Sequence, residues 1–163
     1  MAITRDKKKE VAKTVEDILD NSSTVVFVNF KGLGVEDSTK MRHDLREKSV
    51  GYYVAKKTLI HRALDNKSFE GEKPPLEGEI ALAYSEDHLA PAREIYEFGK
   101  GLGGALSIVG GVFDGVYYDR SSMVDIATIP SRETLLTQFV NVINSPIQGF
   151  ASALHQIAET REA

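Results

Sequence analysis

The chain contains no cysteine. That absence excludes a disulfide framework, thiolate zinc sites and a cysteine nucleophile. No apolar run approaches the roughly 20 residues that a membrane-spanning helix needs. The opening, "MAITRDKKKE", passes from small residues straight into charge, with no apolar signal core behind it. There is no G-x-S-x-G nucleophile elbow. The four histidines, His43, His61, His88 and His155, are scattered and show no metal-ligand spacing. The expectation is a soluble cytoplasmic protein with no catalytic residues, metal, cofactor or membrane partner.

Glycine is plentiful, but not in phosphate-binding form. "FKGLGVED" puts Gly32 and Gly34 between a strand and a helix, yet Asp37 stands where a dinucleotide fingerprint needs its third glycine. "GKGLGGAL" has Gly99 and Lys100 with no Ser or Thr after the lysine, and it leaves a helix instead of entering one. A phosphate cradle needs backbone N–H groups at a helix start, so these glycines read as turns. The pairs Glu36–Asp37 and Glu86–Asp87 fall near expected helix starts, where carboxylates complement the dipole.

What is present is a chain of 163 residues, 42% hydrophobic and 27% charged, enough to bury a core in one domain or a domain with an appendage. Its net charge of −4 is unevenly spread. Residues 1–73 carry 15 Lys and Arg against 12 Asp and Glu, and residues 74–163 carry 5 against 12. The halves therefore differ in sign, at +3 and −7, which suggests two different jobs.

Periodicity predicts a helix capped by Thr4 and running to about Leu19, with Val11, Val15, Ile18 and Leu19 on one face. "TVVFVNF" reads as a buried strand. Asp37 or Ser38 opens a helix to Lys48, closed by Gly51 as a left-handed glycine. "YYVA" is a strand, "KTLIHRALDN" a short helix, "EIALAYS" a strand, "APAREIYEFGK" a helix and "ALSIVGGVF" a strand. An edge strand near 116–118 and a helix capped by Ser121 or Ser122 follow. This alternation predicts an α/β fold: an N-terminal domain with a central mixed sheet flanked by helices, then a C-terminal helical tail. The domain covers 1–130. The tail, 131–163, has no strand signal and reads as two helices, 132–143 and 146–160, joined at Ser145–Pro146. There is no internal repeat.

The basic residues carry the strongest functional signal. "YYVAKKTLIHRAL", residues 52–64, holds Lys56, Lys57 and Arg62 and no carboxylate. Lys7, Lys8 and Lys9 lie in the first turns of the first helix, Lys31 follows the first strand, and Arg42 and Arg46 share a helix face. Loops after strands gather at one sheet edge in many α/β folds, which would concentrate these cations against a polyanion. The plain alternative is a solvated surface. Thr58 is expected to cap the third helix and leave its amides free for a phosphate, and Tyr52 and Tyr53 are placed to stack on bases, one of them belonging to the core. In the tail, Ile147, Phe150, Ala151, Leu154, Ile157 and Ala158 form one apolar face, read as a partner-binding surface or as a helix that folds back on its own domain.

"VAKKTLIHRAL" resembles the strand–helix motif of the stalk-base protein family of the large ribosomal subunit (ribosomal protein L ten). "FVNFKGLGV", "MRHDLRE", "GEIALAYS" and "DIATIPSRETLL" follow in that family's order and spacing. Lys57 stands where the family usually has asparagine, and His61 where it often has arginine. The resemblance implies a ribosome-bound, non-enzymatic protein. Its domain would bind large-subunit ribosomal RNA beside a neighbouring stalk-base protein. Its C-terminal helix would carry dimers of the acidic stalk protein, which recruits translational GTPases. The cations and their place after the strands, read with that resemblance, make Lys7, Lys8, Lys31, Arg42, Arg46, Lys56, Lys57, Thr58 and Arg62 the expected RNA contacts. Two other readings stay open: a small α/β enzyme using the Gly32–Gly34 loop for a phosphorylated ligand, and a free RNA-binding or assembly factor.

Overall fold

The computed structural model describes residues 5–67, 69–102 and 104–162, without the side chains of Arg5 and residues 158–162. Thr4, the expected first cap, and the Ala158 side chain lie outside the described residues. In chain order the elements are α1 (Arg5–Asn21), β1 (Thr24–Asn29), α2 (Val35–Glu47), β2 (Gly51–Val54), α3 (Lys57–Asp65) and β3 (Ile80–Ser85). Then come α4 (Ala90–Gly101), β4 (Ser107–Phe113), β5 (Val116–Asp119), α5 (Arg120–Ala127) and α6 (Arg132–Glu162). Residues 1–129 and 130–163 are separate compact units. No described helix is long and apolar enough to cross a membrane.

The strands form one sheet in the order β2-β3-β1-β4-β5. β1 lies at its centre because both its faces are apolar. Val25 and Phe27 pack with Val15, Ile18, Leu19, Ile60 and Leu64 of α1 and α3. Val26 and Val28 pack with Met41, Leu45, Ala92, Ile95 and Met123 of α2, α4 and α5. The result is three layers, with helices on both faces of the sheet.

The flanked central sheet is as expected, but its strand pairings are not a mixture of parallel and antiparallel. Every pairing between named strands is antiparallel. A parallel contact occurs among the described residues as an isolated bridge between Glu70 and Val116. The reason is the path of α2. It carries the chain from the end of β1 to the start of a parallel β2 two positions away, about 10 Å. β3 then fills the empty slot by returning antiparallel to both. The strand–helix–strand pattern in the sequence cannot show whether that slot is filled.

Helix ends differ from expectation at several points. α2 starts at Val35 with Gly34 as its N-cap, ahead of Asp37 and Ser38. It is closed by Ser49 at φ +57°, not by Gly51. The Ser49 amide donates to the Arg46 carbonyl, and the Val50 amide to the Leu45 carbonyl at 2.8 Å. Val50 and Leu45 are both buried, so the turn is also fixed by an apolar contact. Gly51 begins β2, where a Cβ would meet the Tyr84 ring at 2.3 Å. The cap of α5 is Asp119, whose Oδ1 accepts the Ser122 amide at 3.0 Å, and not Ser121 or Ser122. That hydrogen bond holds the Asp119 carboxyl below the usual carboxylate range.

α6 is one continuous helix with Pro146 inside it, not two helices joined there. A proline in a helix removes one backbone hydrogen bond and clashes with the preceding turn. Helix-compatible residues on both sides carry the backbone through.

Two packing features yield predictions. Glu94 of α4 is buried at 3% exposure, and its carboxylate accepts a hydrogen bond from Lys48 Nζ, with Arg93 Nε 3.6 Å away. Lys48→Met should cost about 1–3 kcal/mol, because a buried charge loses its main donor. Adding Glu94→Gln should recover part of that loss in urea titrations, and equal losses in both variants would contradict the pairing. Ser49→Gly should raise stability by about 0.5–1 kcal/mol, since glycine adopts the left-handed conformation without Cβ strain.

Candidate nucleic-acid interface

Strand directions decide where the cations fall. β1, β2 and β5 run one way, and β3 and β4 the other. The loops after β1 and β2 therefore open at the same end of the sheet. Lys31 sits in the first loop. The Leu33 amide donates to the Phe30 carbonyl at 3.2 Å and Gly32 has φ +91°, so Lys31 occupies the exposed corner of a tight turn. Lys56 and Lys57 lie at the second, where α3 begins. α1 leads into the opposite end of β1, so its N-terminal lysines, Lys7 and Lys8, return to the end that carries Lys31.

α1 and α3 also border a groove lined by Lys8, Lys9, Lys13, Leu59 and Arg62. Glu16 and Asn66 line it too, the Asn66 Nδ2 donating to Glu16 Oε1 at 2.8 Å. The fold thus brings Lys8 and Arg62 together although they are far apart in sequence, and adds Lys9 and Lys13. Lys13 was not singled out in the sequence, because its place beside α3 exists only after packing.

Arg42 and Arg46 do not join this group. α2 packs on the other face of the sheet. Its course from one end to the other leaves Arg46 in the last turn, at the far end from Lys31. The Arg42 guanidinium instead lies 5.5 Å from the centre of the Tyr52 ring. Tyr52 and Tyr53 are both half-buried and pack on opposite clusters, so neither presents a free face like an isolated stacking platform.

Thr58 is not a cap. Lys56 is the N-cap of α3, with no side-chain cap hydrogen bond, and its carbonyl accepts the Leu59 amide at 2.8 Å. Thr58 stands in the first turn, exposed. The helix starts two residues earlier than a threonine cap requires because Ile60, Ala63 and Leu64 must reach the core. Lysine is a poor cap, and Lys56 and Lys57 at a helix N-terminus oppose the macrodipole. Two local rules are broken at one place, so Lys56 and Lys57 do not favour the start of α3.

The cations also differ in their pairing. Lys40, Lys48, Lys67 and Lys73 are engaged by Glu36, Glu94, Asp20 and Asp65. Among the described residues, Lys7, Lys8, Lys31, Lys56, Lys57 and Arg62 have no carboxylate partner. One group of potential metal ligands occurs there, His43, Asp44 and Glu47 on the α2 surface. His43 Nδ1 lies 3.6 Å from both carboxylates, an ordinary exposed charge cluster.

The tail shows a second kind of surface. Every residue from Arg132 to Ile157 is exposed, including Ala151. Ile147, Phe150, Leu154 and Ile157 continue a stripe that starts upstream, at Leu136, Val140 and Ile143. These seven residues are spaced alternately four and three apart, and each is 52–67% exposed. The upstream three were missed because the proline read as a break. Residues 134–154 contain no Asp, Glu, Lys, Arg or His.

A three-layer unit with bare cations at one end, and a long helix without charge between residues 134 and 154, offer two surfaces suited to binding partners. Ribosomal protein L10 matches residues 3–100, and the ribosomal protein uL10 C-terminal region matches residues 129–163. Large ribosomal subunit protein uL10 of Burkholderia ambifaria (strain MC40-6) is 36% identical over all 163 residues, covering 98% of its own length. The uL10 of Ralstonia nicotianae is 34% identical over the same span, covering 96% of its length. The chain belongs to the ribosomal protein uL10 family, whose members are structural constituents of the large ribosomal subunit, ribosome-bound in the cytoplasm, and not enzymes. The reading of the Gly32–Gly34 loop as an enzyme site is thereby overturned.

Two predictions follow from this geometry. Lys56→Ser should stabilise the unit by about 0.5–1 kcal/mol by supplying the missing cap, read as a higher urea midpoint, and Thr58→Ala should show no cap-sized loss. Burial pushes the Tyr52 phenol up to about 12, against a smaller opposing pull from Arg42. A raised folded-state pKa gives stability that is complete below about pH 10 and lost as pH rises through about 12. Stability should therefore fall less steeply over that window in Tyr52→Phe than in the parent, and identical slopes would refute the burial argument.

Proposed function

We propose that this protein forms the base of the large-subunit stalk. Its N-terminal unit grips ribosomal RNA, next to a neighbouring stalk-base protein, and its C-terminal helix holds dimers of the acidic stalk protein, which in turn recruit translational GTPases. The observation that carries the reading is the contrast between the two surfaces: unpaired cations on one unit and, on the other, an exposed helix without charge from residue 134 to 154. Phosphate contacts need cations without internal partners. A helix with a continuous apolar stripe and no charge over 21 residues is suited to burial in a complex. Domain assignments follow the same division, with 1–130 binding RNA and 131–163 serving as linker and stalk-dimer helix.

Lys7, Lys8, Lys31, Lys56, Lys57 and Arg62 form the proposed RNA footprint, with Thr58 beside them. Arg42 and Arg46 would contribute only if the RNA also reaches the other face of the sheet. Ile147, Phe150, Ala151, Leu154, Ile157 and Ala158 are the proposed partner contacts, extended upstream by Leu136, Val140 and Ile143. A free assembly factor would share the RNA surface but leave the tail without purpose.

Replacing Lys56 and Arg62 with alanine should weaken binding to large-subunit ribosomal RNA and lower the salt slope by about one unit per lost phosphate contact. An unchanged slope in a folded double variant would remove these residues from the interface. Deleting residues 145–163 should leave the melting of the N-terminal unit unchanged and weaken capture of stalk dimers, while deleting 131–163 should abolish it. A large drop in melting on either deletion would show that the helix covers its own domain instead.

A further inference from the structure

The acidic half of the chain has only five Lys and Arg residues, and sequence reasoning gave it no part in RNA binding. The fold alters that. β5 runs in the same direction as β1, so Arg120, immediately after it, lies at the sheet end that carries Lys31. α4 runs from the end of β3 to the start of β4 and so delivers Lys100 to the same end. β4 is the direct neighbour of β1, with Ser107 opposite Asn29.

Lys100 and Arg120 line one cavity of about 240 Å³, together with Tyr96, Gly99, Gly104 and Ser107. The Lys100 ammonium sits over the Tyr96 ring, 4.4 Å from its centre. That contact fixes a side chain that would otherwise lose much rotamer freedom on binding. Among the described residues neither cation has a carboxylate partner. Two glycines shape the wall: at Gly99 a Cβ would stand 2.8 Å from the Leu106 carbonyl oxygen, so glycine lets α4 close against that backbone, whereas Gly104, at φ +92°, faces open space.

We propose that this cavity is a second phosphate seat, taking a backbone phosphodiester of the same RNA that meets Lys31 and Lys56. The RNA would then cross the whole end of the sheet, from α3 past β1 to α5, instead of docking on the α1–α3 side alone. This rests on the RNA-binding reading above. Lys100 and Arg120 supply the two charges, and Tyr96 is a positioning residue that acts through Lys100.

The test measures binding of the full chain to purified large-subunit ribosomal RNA across a salt series. The parent is compared with Lys100→Ala/Arg120→Ala, with charge-retaining Lys100→Arg/Arg120→Lys, and with Lys56→Ala/Arg62→Ala. The expected result is a salt slope reduced by about 1–2 units in Lys100→Ala/Arg120→Ala, restored in the charge-retaining variant, at unchanged melting temperature. If Lys56→Ala/Arg62→Ala flattens the slope and Lys100→Ala/Arg120→Ala does not, the seat is wrong while the RNA reading stands. No binding by the parent would sink both. Inorganic phosphate provides a further arm: if it raises the melting of the parent and not of Lys100→Ala/Arg120→Ala, while RNA slopes agree, the cavity holds a free anion and the proposal is overturned.

Discussion

The N-terminal unit depends on the burial of β1 from both sides. Val25, Val26, Phe27 and Val28 are each at most 2% exposed, and they divide strictly between two apolar clusters. Helices must therefore cover both faces, and α1 with α3 takes one while α2, α4 and α5 take the other. Fully burying four such side chains is worth roughly 1.5–3 kcal/mol each, so the position of β1 at the centre is not negotiable. Every loop that carries a candidate site residue hangs from that arrangement.

The β1–β4 junction shows how finely it is fitted. Phe27 lies opposite Gly110 and Val28 opposite Ile108, so Val109 is an extra residue. The bulge lets Ile108 join one cluster and Val112, four residues on, the other. Gly111 lets α5 approach, since a Cβ there would meet Met123 Cε at 2.6 Å and the Val25 carbonyl oxygen at 2.7 Å. α5 in turn carries Arg120 at its first residue. A packing requirement in the middle of the sheet thus fixes the place of a charge at its end.

Stability and the proposed RNA binding pull in opposite directions at the start of α3. A serine or aspartate at position 56 would serve the helix better than lysine. The tail has the same conflict on a larger scale: an exposed apolar stripe costs solubility, and the proposed partner would offset that cost.

The sequence by itself determined the elements, because their signals are local. A β-branched run announced β1, a short apolar run announced β3, helical spacing announced α1 to α4, and the absence of carboxylates between residues 52 and 64 marked the patch. The family motifs were also legible, since they are strings of adjacent residues. What the tertiary structure decided were relations between distant residues. The antiparallel return of β3 and the choice of Lys56 over Thr58 as cap both depend on packing. Charge was hardest to read. Lys8 and Arg62 are 54 positions apart, and Lys31 and Arg120 are 89 apart. Nothing local joins them, and only the strand order of the sheet brings them to one end.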